Sequence, residues 1–229
     1  MRADGSGLRR VTAAKVAAGR SAWSPDGKRL VFDTLSRSGG LYVIRVGGGK
    51  ARKLVACGLC SFPSWSPDGR RIAFDRYILP TVSDEIDVVN ANCRRLRTIG
   101  RVPGGVTGLD WSPSGHELAF ATLGTPQKPG VALKVVGSNG QGLRTVAAGA
   151  NGGVSWSPDG TLIAFVRGAA IDVVSVDGKS ERTLTSLRDP FGELIAWQPV
   201  GNTEVEWIRR SRRSPAVGRS GRASVRERR

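Results

Sequence analysis

The chain has 229 residues, 31 of them glycine, and a formal net charge of +16. No apolar run approaches the ~18 residues that a membrane span needs, residues 1–7 lack the apolar core of a secretory signal, and a single histidine, His116, argues against chemistry built on imidazole. Glycine at about twice its usual share points to many tight turns, and residues 209–229, with nine arginines and one glutamate, hold half of the net charge.

The first complete unit covers 20–55. A short strand ends at Trp23, and Ser24-Pro25-Asp26-Gly27 follows as a type I turn. Proline presets φ at the second position, serine can bond the backbone, and the closing glycine accepts a left-handed conformation, which makes a hairpin with a bulge. Strands are predicted at 29–33, 41–46 and 51–55, with Gly47-Gly48-Gly49 turning the third into the fourth. Four antiparallel strands in about 40 residues make one blade of a β-propeller.

The unit recurs at 63–99, 109–146 and 154–184. Its signature stands at Trp65-Ser66-Pro67-Asp68-Gly69, Trp111-Ser112-Pro113-Ser114-Gly115 and Trp156-Ser157-Pro158-Asp159-Gly160, and decays at Trp197-Gln198-Pro199. Successive tryptophans are spaced 42, 46, 45 and 41 residues apart. The strands are apolar on both faces, as expected where each blade is sandwiched between neighbours. The predicted fold class is therefore all-β: a propeller of four full four-stranded antiparallel blades plus a partial or composite fifth, over 1–208. Residues 2–11 align without gaps on 175–184, so the N-terminal stretch reads as the end of a blade. With 194–208 it could form a composite fifth blade lacking most of its third strand. The alternative, favoured by that missing strand, is a fragment of a larger propeller. Residues 209–229 show no apolar periodicity and read as a disordered basic tail.

Cys57, Cys60 and Cys93 are the only cysteines. A zinc site would need a fourth ligand from a chain with one histidine, so no metal is expected, and no cofactor. Cys57 and Cys60 read as a local disulfide or two idle thiols, with Cys93 unpaired. Asp26, Asp68 and Asp159 could suggest a ring of metal-binding carboxylates, but each sits where a turn favours aspartate, and Ser114 replaces it in the third copy. Asp84, Glu85 and Asp87 read as a solvated strand edge, His116 as a solvent-facing hairpin residue, and the repeated tryptophans as packing between blades.

The phrase Trp-Ser-Pro-Asp-Gly-x-x-Ile-Ala-Phe, with a later Ile-x-Val-Val and a glycine-rich turn, resembles the WD-repeat-like propeller repeat of the TolB family, shared with the propellers of prolyl-oligopeptidase and dipeptidyl-peptidase relatives. The resemblance covers 1–208 and rests on four copies in phase. It implies a propeller, usually six-bladed in TolB, with a protein-binding role in the bacterial periplasm or cell envelope. The hydrolase domain of the peptidase relatives has no counterpart here: no Gly-x-Ser-x-Gly elbow occurs.

Function is therefore expected where the repeats differ, on the face carrying the blade-to-blade and second-to-third-strand loops. The longest such loop is read at 76–83, and Tyr77, Ile78 and Leu79 put three large apolar side chains in it. The loops at 125–129 and 188–191 lie on the same face, the latter with Phe191. Tyr77, Ile78, Leu79 and Phe191 are the candidate partner-binding residues. The reading is a non-catalytic, monomeric scaffold that binds a protein or peptide. The alternatives are a detached regulatory propeller of a serine-peptidase-type hydrolase, or tail-led binding of anionic surfaces and polymers. The tail lacks interleaved aromatics, so no specific nucleic-acid recognition is expected.

Overall fold

The computed structural model describes residues 9–13, 16–34, 39–79, 83–124 and 130–186, together with the backbone of three further strands. All regular structure among the described residues is β-strand. Blade 1 comprises β1 (Ala18–Trp23), β2 (Arg29–Thr34), β3 (Leu41–Arg45) and β4 (Arg52–Val55), and blade 2 comprises β5 (Cys60–Trp65), β6 (Arg71–Ile78), β7 (Ser83–Asn90) and β8 (Arg97–Pro103). Blade 3 comprises β9 (Val106–Trp111), β10 (Glu117–Thr122), β11 (Ala132–Gly137) and β12 (Arg144–Ala148), and blade 4 comprises β13 (Ala150–Trp156), β14 (Leu162–Arg167), β15 (Ala170–Ser175) and β16 (Glu181–Ser186). Within each sheet the strands follow chain order and pair antiparallel. Each blade's first strand lies beside the first strand of the next, so β1, β5, β9 and β13 form the inner wall.

The turn chemistry holds in all four copies. Gly27, Gly69, Gly115 and Gly160 have φ of 66°, 65°, 70° and 74°. The buried serine hydroxyl is the keystone: Ser66 Oγ donates to Asp68 Oδ1 at 2.6 Å and accepts from Arg71 N–H at 2.9 Å, while Arg70 N–H donates to Asp68 Oδ1 at 3.0 Å. In the third copy Ser112 and Ser114 hydroxyls pair at 3.0 Å, and His116 N–H reaches Ser114 Oγ at 3.3 Å. Serine thus reproduces the aspartate geometry with longer bonds.

The core lies between blades. Val31, Leu41 and Val43 of blade 1 form one buried cluster with Trp65, Ile72 and Phe74 of blade 2. Ile86, Val88 and Ile99 of blade 2 join Leu109, Trp111 and Phe120 of blade 3, and Leu133 and Val135 of blade 3 join Trp156, Ile163 and Phe165 of blade 4. Arg29 of blade 1 stacks 4.7 Å over the Trp65 ring, and Arg71 of blade 2 stacks 4.7 Å over Trp111. The turns interlock in the same sense. A methyl group added at Gly69, Gly115 or Gly160 would lie 3.6–3.8 Å from a carbon of Pro25, Pro67 or Pro113 of the preceding blade.

The two ends of the chain modify the expectation. Residues 9–13 form no paired strand, yet Arg9 holds a familiar place. Its guanidinium donates to Val46 O, as Arg52 donates to Ala91 O and Arg97 to Ser138 O in the blades that follow. Residues 9–12 therefore lie on blade 1 as a fourth strand lies on its neighbour. At the other end β17 (Leu194–Trp197), β18 (Glu204–Ile208) and β19 (Ser220–Ser224) form a three-stranded sheet, with β17 beside β13. Residues 220–224, read from composition as disordered, thus supply the third strand that the partial blade lacked. The open edge of β18 presents backbone groups that need partners whatever the charge of the segment that pairs with it.

Candidate functional site

The face opposite the Ser-Pro-Asp-Gly turns is where the blades differ, and blade 2 departs furthest. β6 and β7 pair from Arg71↔Asn90 out to Ile78↔Ser83. Tyr77 and Ile78, read from sequence as loop residues, are therefore strand residues at the tip of a long hairpin. The continuous ladder satisfies backbone groups that a free loop would leave to solvent. Leu79 follows the strand and is 65% exposed. Phe191 lies outside the described residues, as do 125–129.

Two residues absent from the sequence reading join this surface. Leu59 is 42% exposed, and its carbonyl accepts from Tyr77 N–H at 2.9 Å. It sits between Cys57 and Cys60, which are bonded to each other, while Cys93 is free. Leu123 of blade 3 is 44% exposed beside the blade 2–blade 3 connection, with Leu123 N–H donating to Gly105 O at 2.9 Å. The backbone is close here: a Cβ on Gly104 would lie 2.6 Å from Leu123 O. Leu59 and Leu123 were hidden because each is a single leucine in a short connection. Only the ladder of β6 and β7 shows what they flank.

Beneath this apolar rim lie buried acids. Asp84, Glu85 and Asp87, read as a solvated edge, are buried: side chains of β6 and β8 engage Glu85 and Asp87, and Asp84 faces the Val106 backbone of blade 3. Arg76 pairs with Asp87 at 2.7 Å and Glu85 at 2.7 Å, Arg101 pairs with Glu85 at 2.9 Å, and Thr98 Oγ1 donates to Asp87 at 2.7 Å. Blade 4 repeats part of this arrangement with Arg167 and Asp172 at 3.2 Å. Burial drives the Asp75 carboxyl well above its ordinary range, and the neighbouring Asp84 adds to the effect. Asp84 is also raised by burial, against hydrogen bonds from Val106 N–H at 2.5 Å and from Asp75. Asp33 of blade 1 is raised for the same reason, opposed by hydrogen bonds from the Arg20 backbone and Ser61. The hairpin thus stands on a base of buried ion pairs and buried carboxyl groups.

On the inner wall, Asp110 ties three blades together. Its Oδ1 accepts from Ser64 Oγ of blade 2 at 3.1 Å and from Trp111 N–H at 3.0 Å, and its Oδ2 accepts from Trp156 N–H of blade 4 at 2.9 Å. Burial nevertheless raises its pKa to about 6. The turn aspartates show the opposite behaviour. Hydrogen bonds from Ser24 and the Lys28 backbone hold Asp26 below the ordinary value, and the hydrogen bond from Ser66 does so for Asp68. Their carboxylates are engaged in the turns.

Four-stranded antiparallel sheets stacked around inner first strands define the chain as a β-propeller. No protein-family model and no curated protein matches it, but solved structures share its fold. TolB from Acinetobacter baumannii superposes with a TM-score of 0.79 at 17% identity, over 97% of this chain and 55% of that one. A chain of the nidogen/laminin complex gives 0.69 at 13% identity over 84% of this chain and 72% of that one. Oligogalacturonate lyase in complex with manganese gives 0.61 at 14% identity over 86% and 60%. The fold is thus that of the TolB-like propellers, and this chain spans about half the length of that TolB chain.

Proposed function

We propose that the chain is a non-catalytic propeller scaffold that binds a protein or peptide across the loop face of blades 2 and 3. The observation that carries this reading is that exposed leucines flank the β6–β7 hairpin: Leu79 follows β6, Leu59 O accepts from Tyr77 N–H, and Leu123 N–H donates to Gly105 O at the blade 2–blade 3 connection. A mobile apolar loop would lose conformational entropy on binding. This rim is already ordered by a strand ladder and a buried ion-pair base, which lowers that cost. Two of the buried acids below it, Glu85 and Asp87, are occupied by Arg76, Arg101 and Thr98. A TolB-like role in the cell envelope is the setting that the fold suggests.

The test is selection of peptides from a random display library on the purified chain. The expected result is an enriched set whose affinity falls at least tenfold on Leu79→Asp or Leu123→Asp, with unfolding unchanged. Enriched peptides that bind those variants as well as the parent would refute the assignment. An enzymatic reading has one point in its favour, since oligogalacturonate lyase shares the fold. Turnover of an oligosaccharide or peptide by the purified chain, abolished by a loop-face substitution, would replace the scaffold reading.

A further inference from the structure

The opposite face carries a feature that the loop-face reading does not use. At the seam of blades 1 and 2, on the turn side, a cleft of about 680 Å³ is lined by Arg29, Arg52, Arg70 and Arg71, with Asp68 as its one carboxylate. We propose that this cleft binds a compact oxyanion carrying two or more negative charges, a phosphoryl or polycarboxylate group.

The first support is charge. Four arginines against Asp68 leave the lining residues at +3, and Asp26, outside that lining, pairs with Arg29 at 3.8 Å. Asp68 stays ionised, because the bond from Ser66 and the nearby guanidiniums hold its pKa below the ordinary value. A concave, single-sign surface with low-dielectric walls focuses its field and concentrates counter-ions.

The second is preorganisation. Arg29 is stacked on Trp65. Arg52 donates to Ala91 O at 2.7 Å, and Arg71 donates to Gly115 O at 3.0 Å while stacked on Trp111. These contacts, together with Arg52 on Cys93 Sγ and Arg71 on Ser138 Oγ, fix three planar forks before any ligand arrives and leave it their remaining N–H groups, so little rotamer entropy remains to be lost. Guanidinium pairs match phosphate and carboxylate oxygens in bidentate geometry. Arg70 is exposed beside them and is free to close over a ligand.

The third is that the blade stack does not require these arginines. At the seam of blades 3 and 4 the place of Arg29 and Arg71 is taken by Glu117, which pairs with Arg144 at 2.6 Å, and Thr161-Leu162 stand where Arg70-Arg71 stand in blade 2. Trp156 is nonetheless as buried as Trp65, at 5% against 6%. The blade 2–blade 3 seam keeps Arg71 on Trp111 and Arg97 on Ser138 O, but has His116 and Glu117 where the cleft has Arg70 and Arg71. The full set of four is therefore particular to one seam, and a ligand of opposite charge supplies a reason for it.

The experiment is calorimetric titration of the full chain with inorganic phosphate and, separately, citrate, at low and physiological salt. The expected result is saturable one-to-one binding of at least one anion. Arg70→Gln and Arg52→Gln should each weaken it about tenfold, Arg52→Lys should weaken it less, and replacing Arg212 and Arg213 by Gln should leave it unchanged. Arg70 makes its hydrogen bond to Asp68 through the backbone, so Arg70→Gln leaves that bond intact, and matched thermal unfolding would confirm the fold. Preference for phosphate identifies a phosphoryl ligand, and preference for citrate a polycarboxylate. The proposal fails if neither anion saturates, or if the tail substitutions remove binding while the cleft substitutions do not. Peptide selection on the loop face is unaffected by either outcome.

Discussion

Blades 1 and 3 are built from the same phrase, yet their inner faces differ. In blade 3 Trp111 is 4% exposed, capped by Arg71 and wedged against blade 2; in blade 1 Trp23 is 58% exposed and Gly27 meets nothing within 4 Å. The strands make the same point: most of β9 is buried, whereas β1 is exposed or half-buried throughout. Local sequence cannot cause this, since both copies read Trp-Ser-Pro-x-Gly. The signature encodes the turn and offers a tryptophan; whether the tryptophan contributes to stability is decided by the blade before it. Burial belongs to the seam between blades.

The largest test of this comparison substitutes the two tryptophans. Trp111→Ala is expected to cost about 3–5 kcal/mol, and Trp23→Ala under about 1 kcal/mol, read as shifts in the urea midpoint. Equal costs would mean that Trp23 is covered in solution and would break the contrast.

The next test uses the inner wall, where blade 1 has Ala22 and blade 3 has Asp110. The folded pKa of Asp110, about 6, lies above its unfolded value. The native state therefore binds more protons than the unfolded state between about pH 4 and 6, and stability falls as pH rises through that window. The expected loss is about 1–3 kcal/mol, measured by denaturant unfolding at pH 4.5 and 7. Asp110→Ser, which installs the residue found at Ser64 and Ser155, should flatten the profile. An unchanged slope would assign it to other buried acids such as Asp75.

Smaller still is the effect of the turn serine. Ser66→Ala and Ser24→Ala should each cost about 1–2 kcal/mol. The two values should agree within about 0.5 kcal/mol, because the bonds lost are local and blind to the neighbouring blade. A large gap between them would show that the turns depend on the stack. Last, Leu79→Asp should leave stability within about 0.5 kcal/mol, since its side chain is largely exposed.

These contrasts also mark what the sequence could reveal. The positions of the four full blades, their strand order and their turn geometry follow from residues close together in the chain: Pro25 presets φ, Ser24 bonds two residues ahead, and Gly27 takes the left-handed position. The candidate site was half legible. Leu79 stood out as one of three large apolar residues in the longest loop, but Tyr77 and Ile78 turned out to extend a strand, because alternation alone does not say how far a hairpin runs. Leu59 and Leu123 carried no local signal. The acids of β7 were misread because their partners lie on other strands: Arg76, Arg101 and Thr98 for Glu85 and Asp87, and Val106 N–H of blade 3 for Asp84. Pairing across strands was the missing information in each case. The arginine cleft is similar: its four members are scattered between residues 29 and 71 and meet only at a seam.

The proline-to-glycine contact between successive turns has a direction. Each Ser-Pro-Asp-Gly offers its ring forward and its bare Cα backward, so blades add head to tail, like units of a polar filament. Such a lattice keeps no count of its members. One more unit of the same phrase would meet the same two surfaces, and the number that fits depends on the rotation per step, a property that no single copy holds. Copies can therefore multiply or be lost without any seam being reinvented, while a change in one blade's tilt would be felt around the whole array.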